Sequence, residues 1–375
     1  MNVLIFTAST GGGHKRAAAA IEAKIHSLSP ETNVTVIDGM KAIGKVYNTT
    51  ICKGYHIMAT KTPAVYGKLY KLTDKNISFS KLLTKSNEMM ASELLDVIEE
   101  NDPDVIIICH SFITNMVSRL KEKGKLNVKA ISLITDYDAH RSYVSPCIDA
   151  FVVAEPQMTE KLRQAYGVPD SKIYPLGIPT FDRFSVSETK EELCKRERLD
   201  PAIPTVLMMA GSFGVTGVLD FYEQLAVTDE PLQIIVITGR NIRLFDHFDR
   251  KIQELGAKNT KLLYFVDNVD DYMHIADVIV TKPGGLTVTE SIACGLPMAI
   301  YSAFPGQEAD NVTFLLNHNA AVLVDKEDGA QEILSLLHSP ELLREMKENC
   351  KRLAHPNAAE DIFRLAQKLC KEPDV

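Results

Sequence analysis

The stretch NVLIFTASTGGGHKRAAAA, residues 2–20, decides the fold. Residues 3–7 form a continuous apolar and β-branched run, three glycines follow, and an alanine-rich run with helical composition comes next. A strand that passes through glycines directly into a helix is the opening unit of a parallel α/β sheet. The alternation recurs down the chain. Apolar runs at 34–37, 105–109, 130–135 and 151–153 complete one series, and runs at 206–209, 234–238, 262–265, 278–281, 298–301 and 321–324 form a second. Uniformly apolar strands separated by helices are covered on both faces. The sequence therefore predicts an α/β protein with two Rossmann-like, doubly wound parallel-sheet domains. Its 375 residues also exceed what one hydrophobic core usually serves. Between the two series, YPLGIPTFDRFS (174–185) carries Pro175, Gly177 and Pro179 and reads as a linker. We expect a first domain over 1–178, a second over 179–355, and a last helix over 356–375 that crosses back onto the first.

Composition narrows the class. The chain is 45% apolar and 24% charged, with no tryptophan, as in an ordinary globular protein. Its seven cysteines are scattered without a C-x-x-C pair, which argues against a disulfide framework or a zinc knuckle and fits a reducing cytoplasm. The N-terminal run has no basic residue before it and no cleavage signal after it, so it reads as a strand rather than a signal peptide. A formal charge of −8 points away from nucleic acid as a partner. That charge is unevenly spread. Residues 41–85 hold nine lysines, the first Lys41 and the last Lys85, against one acid, Asp74, a balance of +8 that leaves −16 for the rest. Tyrosines and aliphatic residues are interleaved with these lysines, a composition suited to an anionic bilayer surface and equally to a solvated helical face beside a core.

Glycines at a strand-to-helix turn make an anion site, because unpaired backbone N–H groups and the positive helix end converge there. Two familiar patterns fail at 11–16. A G-x-G-x-x-G fingerprint starting at Gly11 would need glycine where Arg16 stands, and no G-x-x-x-x-G-K-[ST] pattern is present. Asp38, at the end of the second run, is the one feature that favours a nicotinamide cofactor. The other reading is that Gly12 and Gly13 bring backbone close to a ligand while His14 faces it.

The second informative stretch is VIVTKPGGLTVTESIACGLPMAIYSAFPGQEADNV, residues 278–312. A strand ends at Lys282, Pro283-Gly284-Gly285 makes a tight loop, and a helix starts near Leu286 and Thr287. This puts a second phosphate cradle at the carboxyl end of a parallel strand, where open α/β sheets bind ligands. Glu290 follows one turn later, although Thr287-x-x-Glu290 also fits a helix capping box.

Three motifs in this order, Gly11-Gly12-Gly13-His14, Lys282-Pro283-Gly284-Gly285 with Thr287 and Glu290, and Pro305-Gly306-Gln307-Glu308 with Asn311, resemble one family. It comprises the glycolipid-forming glycosyltransferases, which include bacterial diacylglycerol glucosyltransferases and plant monogalactosyldiacylglycerol synthases. These are relatives of the peptidoglycan lipid-intermediate N-acetylglucosaminyltransferase. The resemblance implies the GT-B fold, with two domains facing a central cleft, a lipid acceptor on the first and a UDP-sugar on the second. It implies inverting hexose transfer to a lipid, foremost diacylglycerol, with the UDP-hexose as substrate and neither cofactor nor metal. By the same resemblance Glu290 accepts from both ribose hydroxyls, and Gln307, Glu308 and Asn311 read the hexose. Ser212, Phe213, Gly239, Arg240, Phe265 and Val266 surround the diphosphate and uracil, with core packing as the other reading for Phe265 and Val266. Gly284, Gly285, Leu286 and Thr287 receive the diphosphate at the helix start.

For the base that accepts the acceptor's proton the candidates are His14 and Asp136, with His110 and His140 on the acceptor side to orient either. Asp136-Tyr137-Asp138 also matches the D-x-D pattern that holds a metal in another glycosyltransferase fold. Three further readings stay open: an isomerase resembling UDP-N-acetylglucosamine 2-epimerase, a transferase to a polyprenyl-linked acceptor, and a non-catalytic nucleotide-binding regulator. The lysine-rich segment favours transfer at a membrane, with the protein cytoplasmic and peripherally attached to the inner face of the cell membrane.

Overall fold

The computed structural model describes residues 1–8, 12–44, 67, 68, 70, 72, 74, 84–209, 217–325 and 327–372. Two compact units divide the chain. One holds Met1–Phe181, Phe304–Asp310 and His355–Val375, and the other Asp182–Ala303 and Asn311–Ala354. The sequence places 304–310 within the second domain; by its contacts this segment groups with the first unit.

In the first unit six parallel strands run in the order β2-β1-β3-β4-β5-β6: β1 Asn2–Thr7, β2 Asn33–Asp38, β3 Val105–Ile108, β4 Lys129–Leu133, β5 Ala150–Val152 and β6 Ile173–Tyr174. The side chains of β3 are buried throughout, as two-sided cover demands. The described helices between strands include α1 Gly12–Leu28, α2 Gly39–Ala42, α3 Thr84–Asn101, α4 Ser111–Glu122 and α5 Gln157–Tyr166. On α1 the buried face is Ala17, Ala18, Ala20, Ile21 and Ile25, a helical stripe of three small residues and two isoleucines. Asp38 does not stand free at the strand end: its carboxylate accepts from Lys41 N as the N-cap of α2 and lies 3.6 Å from Lys15 Nζ. The feature that favoured a nicotinamide cofactor is therefore local capping chemistry.

The second unit begins with α6 Lys190–Glu197, opened by a Thr189–Glu192 capping box. Its sheet runs β12-β11-β10-β7-β8-β9, again all parallel: β7 Thr205–Met209, β8 Gln233–Ile237, β9 Thr260–Leu263, β10 Val278–Thr281, β11 Met298–Ile300 and β12 Ala321–Leu323. Among the described residues its further helices are α7 Gly217–Ala226, α8 Ile242–Leu255, α9 Val269–Ile275, α10 Gly285–Ala293, α11 Gln307–Asn317, of which Gln307–Asp310 belong to the first unit, α12 Gly329–Leu337 and α13 Pro340–Leu353. Their core gathers Val206, Met208, Phe221, Tyr222, Phe248, Val280, Ile333 and Met346. The final helix, α14 Ala358–Lys371, packs against α1 in the first unit, burying Ala359, Ile362, Phe363, Ala366 and Leu369. Among the described residues no helix is long and apolar enough to cross a membrane.

At the foot of β10 a charged hub ties three elements together. Asp277 accepts from Lys190 Nζ at 2.9 Å, from Thr205 N at 3.0 Å and from Lys347 Nζ at 3.2 Å. Burial raises the carboxyl's pKa, but the two ammonium groups and the amide outweigh it and hold the pKa below the usual range. The stabilisation is therefore present above the unfolded-chain value of about 3.9 and is lost as pH falls through the lower folded value. Asp277→Ala leaves two lysines facing a partly buried void. It should cost on the order of 3 kcal/mol at pH 7, read as a lower urea midpoint than wild type, and the difference should shrink on acidification.

Each sheet has one switch point, where successive strands leave in opposite directions. In the first unit it lies between β1 and β3, and in the second between β7 and β10. Ligands of open α/β sheets bind outside the carboxyl ends of strands at such points.

Candidate active site

In the first unit the residues that follow β1, β3 and β4 converge at the switch point. His14 sits in the first turn of α1, and its ring meets that of His110 edge-on at 4.9 Å between centroids. His110 is the N-cap of α4, where Nδ1 accepts from Phe112 N at 3.2 Å. Its neutral ring therefore carries the proton on Nε2. His14 Nδ1 lies 3.1 Å from Thr135 Oγ1, just past β4. Part of the His14 ring reaches the surface, yet the packing around it is dense enough to push its pKa down to about 4. Burial is the main cause, and a hydrogen bond to the Cys109 carbonyl works the other way. His110 is also lowered well below the usual imidazole value, by burial and then by the neighbouring His14. At neutral pH both imidazoles are uncharged, the state in which a base has a lone pair to use.

Asp136 follows Thr135 at the same strand end and is half-buried. Asp138 is turned elsewhere: its carboxylate pairs with Lys161 Nζ at 2.5 Å and accepts from Ala139 N. The D-x-D pattern thus lacks a second carboxylate facing the strand end, and among the described residues no cluster of metal-ligating side chains occurs.

His140 takes a different role from the acceptor-orienting one expected of it. Nδ1 accepts from Ser142 N at 3.1 Å, so Nε2 carries the proton and donates to the Tyr70 carbonyl at 3.1 Å. The ring also stacks on Tyr70 at 4.2 Å. With both nitrogens committed, His140 holds the chain near residue 70 in place. Thr135 was not singled out from the sequence. Its signal in the sequence is position, the last residue of AISLIT at a central strand end, next to Asp136.

In the second unit α10 starts at the switch point. Its N-cap is Gly284 at φ −68°, ψ 139°, with no side chain capping it, and a Cβ there would meet nothing within 4 Å. No side chain caps the first N–H groups of α10, an arrangement that receives anions. Lys282 adds an ammonium group directly after β10. Thr287 is the third residue inside the helix rather than its cap, so Thr287 and Glu290 do not form a capping box. Leu286 and Glu290 are both buried, at 6% and 1% exposure. Asn311, expected to read the hexose, is instead fully buried, and its Nδ2 donates to the Pro283 carbonyl at 2.9 Å. It shapes the loop from behind.

At the end of β8, Gly239 adopts φ +60°, a left-handed turn that glycine favours. The turn lays the Arg240 guanidinium over the Phe265 ring at 4.3 Å. Phe265 is 45% exposed, beyond the end of β9, which rules out core packing for it. Val266 is half-buried. In the segment grouped with the first unit, Glu308 accepts from Phe304 N at 2.7 Å around Gly306 at φ +108°, with Gln307 between them. Gly12 has open space at its Cβ position, and Gly13 lies in the first turn of α1. Ser212 and Phe213 lie outside the described residues, as does most of the lysine-rich segment 41–85.

Comparison with known proteins adds an independent line. Residues 14–180 match the family model described as monogalactosyldiacylglycerol (MGDG) synthase, and residues 205–362 match the glycosyltransferase family 28 C-terminal domain. The processive diacylglycerol beta-glucosyltransferase of Bacillus subtilis strain 168 is 30% identical over 382 residues, covering 100% of this chain and 96% of that one. Among solved structures, Acinetobacter baumannii MurG superposes with a TM-score of 0.64 at 16% identity, over 98% of this chain and 99% of that one. UDP-GlcNAc 2-epimerase from Neisseria meningitidis superposes at 0.63 and 14% identity, over 98% and 100%. The two sheets are those of the GT-B fold.

Proposed function

Since the chain belongs to the processive diacylglycerol beta-glucosyltransferase family, we propose that it transfers glucose from UDP-glucose to the free hydroxyl of diacylglycerol, with inversion and without a metal ion. The observation that carries this reading is similarity along the whole chain to relatives of that name. The epimerase reading rests on a structure whose low identity speaks only to the fold.

In the proposed step the acceptor oxygen attacks the anomeric carbon on the face opposite the diphosphate. The bond from that carbon to the β-phosphate oxygen breaks, so an α-linked donor gives a β-linked product. The hydroxyl proton passes to a base, His14 in the first assignment and Asp136 in the second. The leaving diphosphate is met by the N–H groups that open α10 and by Lys282, which supply the charge stabilisation a metal provides elsewhere. The Arg240–Phe265 stack offers a flat face for the uracil ring, and Glu290 offers two oxygens to the ribose. The +8 segment at 41–85 supports peripheral attachment to anionic lipid on the inner face of the membrane.

The test is incubation with radiolabelled UDP-glucose, UDP-galactose or UDP-N-acetylglucosamine and diacylglycerol, followed by chromatography of the organic phase. One arm contains EDTA and another presents the acceptor in anionic vesicles. Labelled glycolipid from UDP-glucose, unchanged by EDTA, supports the reading; no label in lipid from any donor ends it. A pH profile probes the base. Because His14 is protonated only below about 4, kcat/KM should stay level from pH 8 down to about 5 and then fall with a midpoint near that value. A midpoint at the ordinary imidazole value of about 6.5 would remove His14 from the role.

A further inference from the structure

The described residues among 67–74, namely 67, 68, 70, 72 and 74, are helical, and they are fixed at both ends to parts of the first unit that sequence alone does not connect. At one end Gly67 lies against Pro305. A Cβ on Gly67 would stand 2.6 Å from Pro305 Cβ, closer than side chains tolerate, and its φ lies outside the left-handed region. Glycine is required here by the approach of Pro305, not by backbone conformation. Pro305 opens the Pro305-Gly306-Gln307-Glu308 turn, which Glu308 closes on Phe304 N.

At the other end stands Asp74, the single acid among the nine lysines of 41–85. Its Oδ1 accepts from Tyr166 OH at 2.6 Å and from Arg141 N at 2.9 Å, and its backbone carbonyl accepts from Arg141 Nε at 3.2 Å. Arg141 in turn lies over the Tyr166 ring at 5.1 Å. Between the two ends His140 donates to the Tyr70 carbonyl and stacks on its ring. Burial opposes ionisation of Asp74, but the Tyr166 hydroxyl and the Arg141 amide, with the Lys161 charge nearby, outweigh it, so the carboxylate is the form this clamp is built for.

We propose that Gly67 and Asp74 are positioning residues of one brace, which seats the Pro305–Glu308 turn against the first unit and so fixes the side chains that read the donor's hexose. The inference rests on the reading above that Gln307 and Glu308 face that hexose. It explains why an acid interrupts a lysine-rich run, and why a small residue precedes Lys68. In that reading the turn meets the sugar half of the donor, while α10, Arg240 and Phe265 meet the diphosphate and uracil.

That selectivity separates positioning from mere structural support. The experiment measures binding of UDP and of UDP-glucose to the purified full chain by titration calorimetry, together with kcat and KM for transfer. In Gly67→Ala the methyl group displaces Pro305, and UDP-glucose should bind about 10-fold more weakly, the penalty expected when a contacting loop is misplaced by a fraction of an ångström. UDP binding should change less than about twofold, because no nucleotide contact is lost. Asp74→Asn, which keeps shape and removes the charge, should show the same hexose-selective loss and serves if the first variant does not fold. An unchanged ratio of UDP-glucose to UDP affinity in the folded variants would overturn the brace while leaving the proposed function intact. A wild-type protein that puts label into lipid from no UDP-sugar would overturn both.

Discussion

His14→Ala should lower kcat for glucose transfer by about 100-fold or more and leave UDP affinity unchanged. The expectation follows from burial and position together. The imidazole stands at the switch point of the first sheet, neutral because dense packing holds its pKa near 4. A neutral imidazole that meets both Thr135 Oγ1 and the Cys109 carbonyl is oriented as well as deprotonated, and orientation is what distinguishes a working base from a surface histidine. Alanine removes the proton acceptor without touching α10, which lies in the other unit. The measurement is single-turnover transfer at saturating UDP-glucose, with Asp136→Asn run beside it. A large loss in Asp136→Asn and a near-normal rate in His14→Ala would assign the base to Asp136.

Glu290→Ala should act on the other substrate. Two hydrogen bonds from ribose hydroxyls to a carboxylate are each worth about 1.5–3 kcal/mol. Losing both should raise KM for UDP-glucose by about 100-fold or more, with kcat falling much less, since the ribose is bound equally in ground and transition states. The side chain is only 1% exposed and rises from the second turn of α10. Glu290→Gln separates charge from shape: it keeps one acceptor and should give an intermediate KM. A KM within about twofold of wild type for the alanine variant would move the ribose contact elsewhere.

Much of this architecture is legible because parallel strands are read from simple apolar runs. VIVT at 278–281 coincides with β10, and VIII at 105–108 with β3. Where reading stopped short, the cause is local. β6 has two residues, Ile173 and Tyr174, and Pro175 ends it before any pattern develops. Phe265 looks like the last residue of an apolar strand, but β9 closes at Leu263 and leaves its ring exposed beneath Arg240. His140 and Asn311 carry the right chemistry for ligand contact, yet backbone groups near them in space, the Tyr70 and Pro283 carbonyls, claim their donors first. Such claims depend on tertiary neighbours and leave no trace in spacing. The same holds for Gly67 and Pro305, far apart in sequence.

The placement of α14 bears on how the molecule is made. The second unit is nearly continuous, from Asp182 to Ala354 but for one short excursion, whereas the first cannot complete its cover over α1 until residues 355–375 exist. A chain emerging from the ribosome thus has its earlier half waiting, with the part of α1 that α14 covers open to water, while its later half can already close. The order of maturation runs opposite to the order of synthesis, and the apolar surface left uncovered in that interval is where a chaperone would have something to hold.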